Sequence, residues 1–294
     1  MGNTKIEWAE KTWNPVTGCT KASEGCANCY AERMSKRLAG RVGYPADEPF
    51  KVTLHPDRLK EPLRWKKPAR IFVCSMSDLF HEDIPFEFIA KVFDVIHNAR
   101  NHTYLLLTKR PQRMKEFIEW CFRYWEWETW VDWEGEFRHL WLGVTAENQQ
   151  TADERIPILL QIPAAVRWVS VEPMLGPVNL TSIDHGWQIN ALTGEQSDMC
   201  RPYYDTGKLN WVACGGESGH GARPMHPDWA RDLRDQCQAT NVPYFFKQWG
   251  EYAPNWLNDE SGKIPGSEWI DRMGKKMAGR VLDGCTWDDM PVVV

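Results

Sequence analysis

The sequence predicts an α/β protein built as a full or partial (β/α) barrel. Three observations predict it. Short runs that are apolar through their whole length recur along the 294 residues, as strands buried on both faces do. Stretches with helical periodicity alternate with them. A polar cluster closes nearly every apolar run, where such folds build their sites. An open doubly wound sheet is the competing architecture.

In chain order, Thr12–Gly18 reads as a first strand, and a loop with three cysteines follows it. Tyr30–Leu38 reads as a helix, with Met34 and Leu38 on one face. Residues 40–69 carry five prolines and no clear period. Then the rhythm becomes regular. Arg70–Ser75 is a strand; Pro85 opens a helix over Phe86–Ala99, with Phe86, Ile89, Phe93 and Ile96 on one stripe. Thr103–Thr108 is a strand and Pro111–Trp127 a helix. Leu140–Thr145 is a strand, and Thr151 with Glu154 reads as a capping box for a helix running to Gln161, with Pro157 inside it. Val166–Val171, Leu209–Cys214 and Val242–Phe246 are further strands, and Pro227–Thr240 is a helix that His226-Pro227-Asp228 starts. The expected organisation is a barrel over residues 1–249, interrupted by an insertion at about 176–208, with a C-terminal extension over 250–294 packed on it.

Composition narrows the class. Nine cysteines with no leader-like segment fit a reducing, cytoplasmic setting. No apolar run approaches the roughly 20 residues of a membrane span. The net charge of −5 gives no global field for nucleic acid. Seventeen tryptophans are unusual, and suit either core packing or stacking on flat ligands.

The chemistry concentrates in TWNPVTGCTKASEGCANCYAERM, residues 12–34, where Cys19, Cys26 and Cys29 are spaced C-x6-C-x2-C. Three thiolates on one loop can hold three corners of an iron–sulfur cluster and leave one iron open. A zinc site would need a further ligand, from Cys74 or a histidine, since no second C-x2-C exists in the chain. Three inert thiols are the remaining reading. At the other strand ends stand Ser75-Met76-Ser77-Asp78, Thr108-Lys109-Arg110, Glu147, Glu172, Gly215-Gly216-Glu217 and Lys247. In a barrel these converge on one mouth. Gly215 and Gly216 would let backbone approach a ligand, Lys109 or Arg110 would meet a carboxylate, and Glu147 or Glu172 would accept from hydroxyls or an amine.

A three-cysteine loop after the first strand of a β/α barrel resembles the radical S-adenosylmethionine (SAM) superfamily, whose usual spacing is C-x3-C-x2-C. The chain more closely resembles a phage- and prophage-associated family with its own three-cysteine spacing. That resemblance rests on WNPVTGC, GCANCYAERM, SMSDLFHEDIP, LLTKRP, ADERIP, GGESG-x-GARPMHPDW, FFKQWGE and GR-x-LDG-x-TWDDMP. It implies a barrel of the radical SAM type and a 4Fe–4S cluster on Cys19, Cys26 and Cys29. It implies SAM as co-substrate, cleaved by one electron to a radical that abstracts a substrate hydrogen, and a reductant such as flavodoxin. Ser75, Ser77, Asp78, Thr108, Lys109, Glu147, Glu172, Gly215, Gly216 and Glu217 are the expected SAM contacts.

The expected substrate is a nucleobase, a hypermodified thymine of phage DNA, in an isomerase, lyase or transferase reaction in the host cytoplasm. Lys51–Arg70 carries seven Lys/Arg against Asp57 and Glu61, the strongest basic patch of the chain. Lys66 and Lys67 would hold phosphates while Trp13 or Trp65 stacks on the base. A free metabolite or a peptide as substrate, or a cluster-bearing binding protein without turnover, are the alternatives.

Overall fold

A computed structural model of the chain describes residues 4–124, 130–196, 207–254 and 270–292. Its centre is a seven-stranded sheet: β1 (Lys11–Trp13), β2 (Arg70–Val73), β3 (Thr103–Thr108), β4 (Leu140–Thr145), β5 (Val166–Val171), β6 (Trp211–Gly215) and β7 (Tyr244–Gln248). Every neighbouring pair is parallel and the spatial order is the chain order. A doubly wound sheet would reverse its order at a switch point, so that alternative is excluded. The sheet curls, but β1 and β7 do not pair with each other; the result is a half-barrel.

Strand periodicity sorts side chains onto two faces. Ile71, Val73, Tyr104, Leu106, Leu142, Val144, Val169, Val171, Val212 and Phe246 pack with the helices, against Ile89 and Phe93 of α2 (Phe86–Asn98), Phe117 of α3 (Pro111–Tyr124), Ile156 of α5 (Gln149–Leu160) and Leu233 of α6 (Pro227–Ala239). The concave face gathers a separate cluster, Leu105, Trp141, Trp168, Trp211, Ala213 and Phe245, with Trp8 from the N-terminal segment laid into it. No helical residue enters that cluster. Several of the tryptophans therefore fill a lumen: the Trp168 and Trp211 rings lie 5.0 Å apart, and Trp8 meets Trp168 edge-on at 5.4 Å. A Cβ on Gly143 would collide with the Trp168 indole, which explains a glycine in the middle of a strand.

The half-barrel's last edge is covered by its own tail. Phe246 donates to the Trp287 carbonyl at 2.9 Å, Asp289 donates to the Tyr244 carbonyl at 3.3 Å, and the Trp211 indole donates to the Asp289 carbonyl at 2.9 Å. Leu282 is fully buried in the same core as the helices.

Local differences from the expected elements have clear causes. The Thr12–Gly18 run divides at Pro15: β1 stops at Trp13, and Val16–Thr17 pairs antiparallel with Thr53–Leu54. The capping box of α5 is Asn148 with Thr151, because Asn148 accepts from Thr151 at 3.0 Å and Thr151 reaches back to its backbone. The helix therefore starts two residues before the expected cap and runs through Pro157. A further helix, α4 (Trp130–Glu136), follows α3. The expected helix residues beyond Tyr124, and parts of the insertion and extension, lie outside the described residues. No helix among the described residues is long and apolar enough to cross a membrane.

Candidate functional site: a three-thiol cavity at the sheet mouth

The cysteine loop begins at a turn that only glycine allows. Gly18 has φ +84°, and a Cβ there would strike the Lys51 carbonyl. The loop ends at Cys29, the residue before α1 (Tyr30–Leu38). Between these points buried groups from the strand ends fix it. The His81 ring accepts from the Asp83 amide at Nδ1 and so donates from Nε2 to the Thr20 hydroxyl, at 2.8 Å. Arg110 also donates to that hydroxyl, at 2.9 Å. Ser23 donates to Glu147 at 2.5 Å, and Asn28 donates to Glu217 at 3.1 Å and to the Gly221 carbonyl at 2.7 Å. Arg33 of α1 reaches the Ser218 carbonyl at 3.0 Å.

Each of those carboxylates is held charged by its own cations. Glu147, 1% exposed, pairs with Lys109 and, at 2.9 Å, with Arg155. Burial pushes its carboxyl up, but Lys109 and Arg155 outweigh that and hold it below the usual range. Glu217 accepts from the Arg223 amide at 2.8 Å and from its guanidinium at 2.7 and 2.9 Å, and it too lies below the usual range against the pull of burial. Asp78 accepts from Thr108 (2.7 Å) and from the Phe80 and Lys109 amides (3.0 and 2.9 Å), and Arg110 pairs with it at 3.3 Å.

The loop so held forms one wall of a cavity of about 430 Å³. Cys19, Cys26 and Cys29 line it, with Ser75, Ser77, Asp78, Thr108, Lys109, Glu172, Gly216 and Glu217 among the expected contacts. Two sulfurs have donors: Ala22 N–H lies 3.5 Å from Cys26 Sγ and Arg110 lies 3.6 Å from Cys19 Sγ. Burial and then Asp78 push the Cys19 thiol up to about 11, against the pull of Arg110. Among the described residues no three His, Cys, Asp or Glu groups gather as a single-ion site. Cys74 also lines the cavity, buried and with φ +56°.

Several expected roles change in three dimensions. Glu147 does not line the cavity; its oxygens are taken by Ser23, Lys109 and Arg155, which makes it an anchor of the loop. Gly25 is small because a Cβ there would meet the Glu147 carboxylate. A Cβ on Gly216 would strike the Trp249 carbonyl, so that glycine accommodates the chain's own backbone. Trp13 is 0% exposed, packs toward the helices and donates to the Arg58 carbonyl at 2.9 Å; it cannot stack on a substrate. Trp65 packs edge-on against His102 with Lys11 over its ring, and Lys66 and Lys67 precede the amino end of β2. Lys66 and Lys67 thus flank the opposite end of the sheet, although the segment begins at Lys51 beside Gly18, and none of Trp65, Lys66 and Lys67 lines the cavity.

Residues that the sequence did not single out complete the site: Asn28, Ser23 and His81 as loop anchors, and Ile6, Trp8 and Phe72 as the apolar wall. Trp8 precedes the first strand, and only the curl of the sheet brings it to the mouth.

Fold and site together define a parallel α/β half-barrel with a three-thiol loop walling its mouth. The chain belongs to the family described as "Protein of unknown function (DUF5131)", whose profile matches residues 3–291. No curated protein matches it. Among solved structures it is similar to spore photoproduct lyase complexed with dinucleoside spore photoproduct, at 11% identity and a TM-score of 0.43, over 80% of this chain. The chain spans 62% of the length of that structure.

Proposed function

We propose that this chain is a radical SAM enzyme that holds a 4Fe–4S cluster on Cys19, Cys26 and Cys29 and acts on a nucleobase, with hypermodified thymine of phage DNA as the specific reading. One observation carries it: three cysteines of one rigidly pinned loop face the same cavity as the polar strand ends of the half-barrel. When bound, cluster and SAM supply one-electron cleavage of a sulfonium and abstraction of a substrate hydrogen.

The chain's own residues prepare the place. The Ala22 amide and Arg110 donate toward two sulfurs, which lowers the cost of negative charge there. Thr20, Ser23 and Asn28 keep the loop from shifting, so the thiols hold fixed positions. Ser75, Ser77, Lys109 and Glu217 stand beside the loop and would orient the amino, carboxylate and ribose groups of SAM. The lumen tryptophans close the floor and keep bulk water out. Because Lys66 and Lys67 flank the other end of the sheet, a single base or short strand suits this mouth better than a long duplex.

Anaerobically reconstituted protein is expected to be brown and to bind about four irons per chain. Cys19→Ala, Cys26→Ala and Cys29→Ala should each abolish the absorbance. Cys121→Ala and Cys237→Ala, in the buried helical core, should not. Stoichiometric zinc without iron would overturn the reading. Calorimetry with SAM, then with short phage-type DNA carrying modified or plain thymine, tests the co-substrate and the substrate in turn.

A further inference from the structure

The cavity that the cysteine loop walls also holds an ion pair that binds no part of that loop. Glu172, just beyond β5, accepts from Lys247 of β7 with both oxygens, at 2.8 and 2.9 Å. The side chains are 19% and 14% exposed and both line the cavity. Asp78, Glu147 and Glu217 bind the loop or its supports. Glu172 and Lys247 have no other hydrogen-bond partner among the described residues. A largely desolvated pair with no further bonds is weak support for a fold. Its spare capacity is specific: a carboxylate offers about four acceptor positions and an ammonium three donors, and here two of each are used.

The surroundings extend that capacity. The Thr145 and Ser170 side chains, one strand and one layer away, are buried, line the same cavity and have no hydroxyl partner among the described residues. Trp8 lies 5.9 Å from the Lys247 ammonium; its indole N–H is buried and unpartnered. Gly215 keeps the space beside Glu172 open, since even a methyl there would stand 3.3 Å from the carboxylate.

We infer that Glu172 and Lys247, with Thr145, Ser170 and Trp8 around them, form the substrate subsite of this cavity. They take a neutral group that presents N–H and C=O on one edge, a cyclic amide or a primary carboxamide. Glu172 accepts from the N–H and Lys247 donates to the C=O; the two charges cancel, so a neutral edge leaves neither uncompensated. An open-chain secondary amide is trans and points its N–H and C=O to opposite edges, so it fits poorly. Glu172 thereby moves from the SAM contacts to the substrate. This inference rests on reading the cysteine side of the same cavity as the cofactor side.

The test uses the full chain, with and without reconstituted iron, and uracil as the probe, with 1,3-dimethyluracil, N-methylacetamide and acetate as controls. Binding is followed by calorimetry and by protein-detected NMR. Uracil should bind saturably, and each control at least about tenfold more weakly, the scale of one charge-assisted hydrogen bond. Glu172→Ala and Lys247→Ala should each weaken uracil by about tenfold or more while leaving iron content and SAM affinity unchanged. The double variant Glu172→Leu with Lys247→Met, which leaves no unpaired charge, should fold and still not bind uracil. Equal binding of uracil and 1,3-dimethyluracil, or wild-type uracil affinity in the double variant, overturns the subsite. Loss of iron in these variants would also overturn it, by making the pair a support of the loop. Uracil binding in protein that takes up no iron would sink the cofactor reading and leave the subsite standing.

Discussion

At the scale of the residue, Glu147 shows how a strand-end carboxylate becomes architecture. It is buried, it neutralises Lys109 and Arg155, and its remaining capacity holds Ser23 of the cysteine loop. Glu147→Ala strands two cations, and unfolding in urea should show a loss of about 3–5 kcal/mol. Gly25→Ala displaces the same carboxylate and should lower iron retention with a smaller loss of stability. Wild-type iron retention in both variants would refute the anchor. His55, His81 and His139 are all held below the ordinary histidine value, burial being the first cause in each. The unfolded chain takes up protons near pH 6.5 that the folded chain refuses. Stability is therefore complete above that value and falls as pH drops below it. The urea midpoint should be lower at pH 5 than at pH 7.5, and His81→Gln should reduce that difference. An identical pH response in His81→Gln would remove His81 from the account.

At the scale of the element, the C-terminal tail does the work that an eighth strand would do in a closed barrel. Without it, β7 would present unpaired backbone groups to any other chain. Deleting residues 280–294 exposes that edge and removes buried Leu282 and the acceptor of the Trp211 indole. The truncated protein should sediment as larger species at concentrations where the full chain does not. Helix α5 offers a local test: Asn148→Ala loses the cap and should cost about 1 kcal/mol. A change below a few tenths would mean that the Thr151 hydroxyl suffices.

At the scale of the whole molecule, the half-barrel separates two environments. Its convex face is a continuous apolar core shared with the helices, and its concave face is an aromatic lumen with a polar rim. Gly143→Val should disturb this division by forcing the Trp168 ring aside. The expected cost is about 1–3 kcal/mol, with altered tryptophan fluorescence; an unchanged spectrum would show that the lumen has slack.

The strands, the helices and the three-cysteine loop were legible in the sequence, because period-two and period-3.6 patterns and a dense cysteine spacing are local properties. Local pattern also placed the polar clusters at strand ends, and the parallel sheet put them at one mouth. It could not say which of those clusters face a ligand and which face each other. Glu147 and Glu172 look alike in sequence, each an acid at the end of an apolar strand. Only the fold buried one under Ser23, Lys109 and Arg155 and left the other in the cavity with Lys247, 75 residues further along the chain. Trp13, expected to stack on a substrate, lies in the core, and Trp8, which the sequence did not single out, lines the cavity. A strand side chain points to whichever face its register assigns, and the curl of the sheet decides which face is a core and which is a lumen.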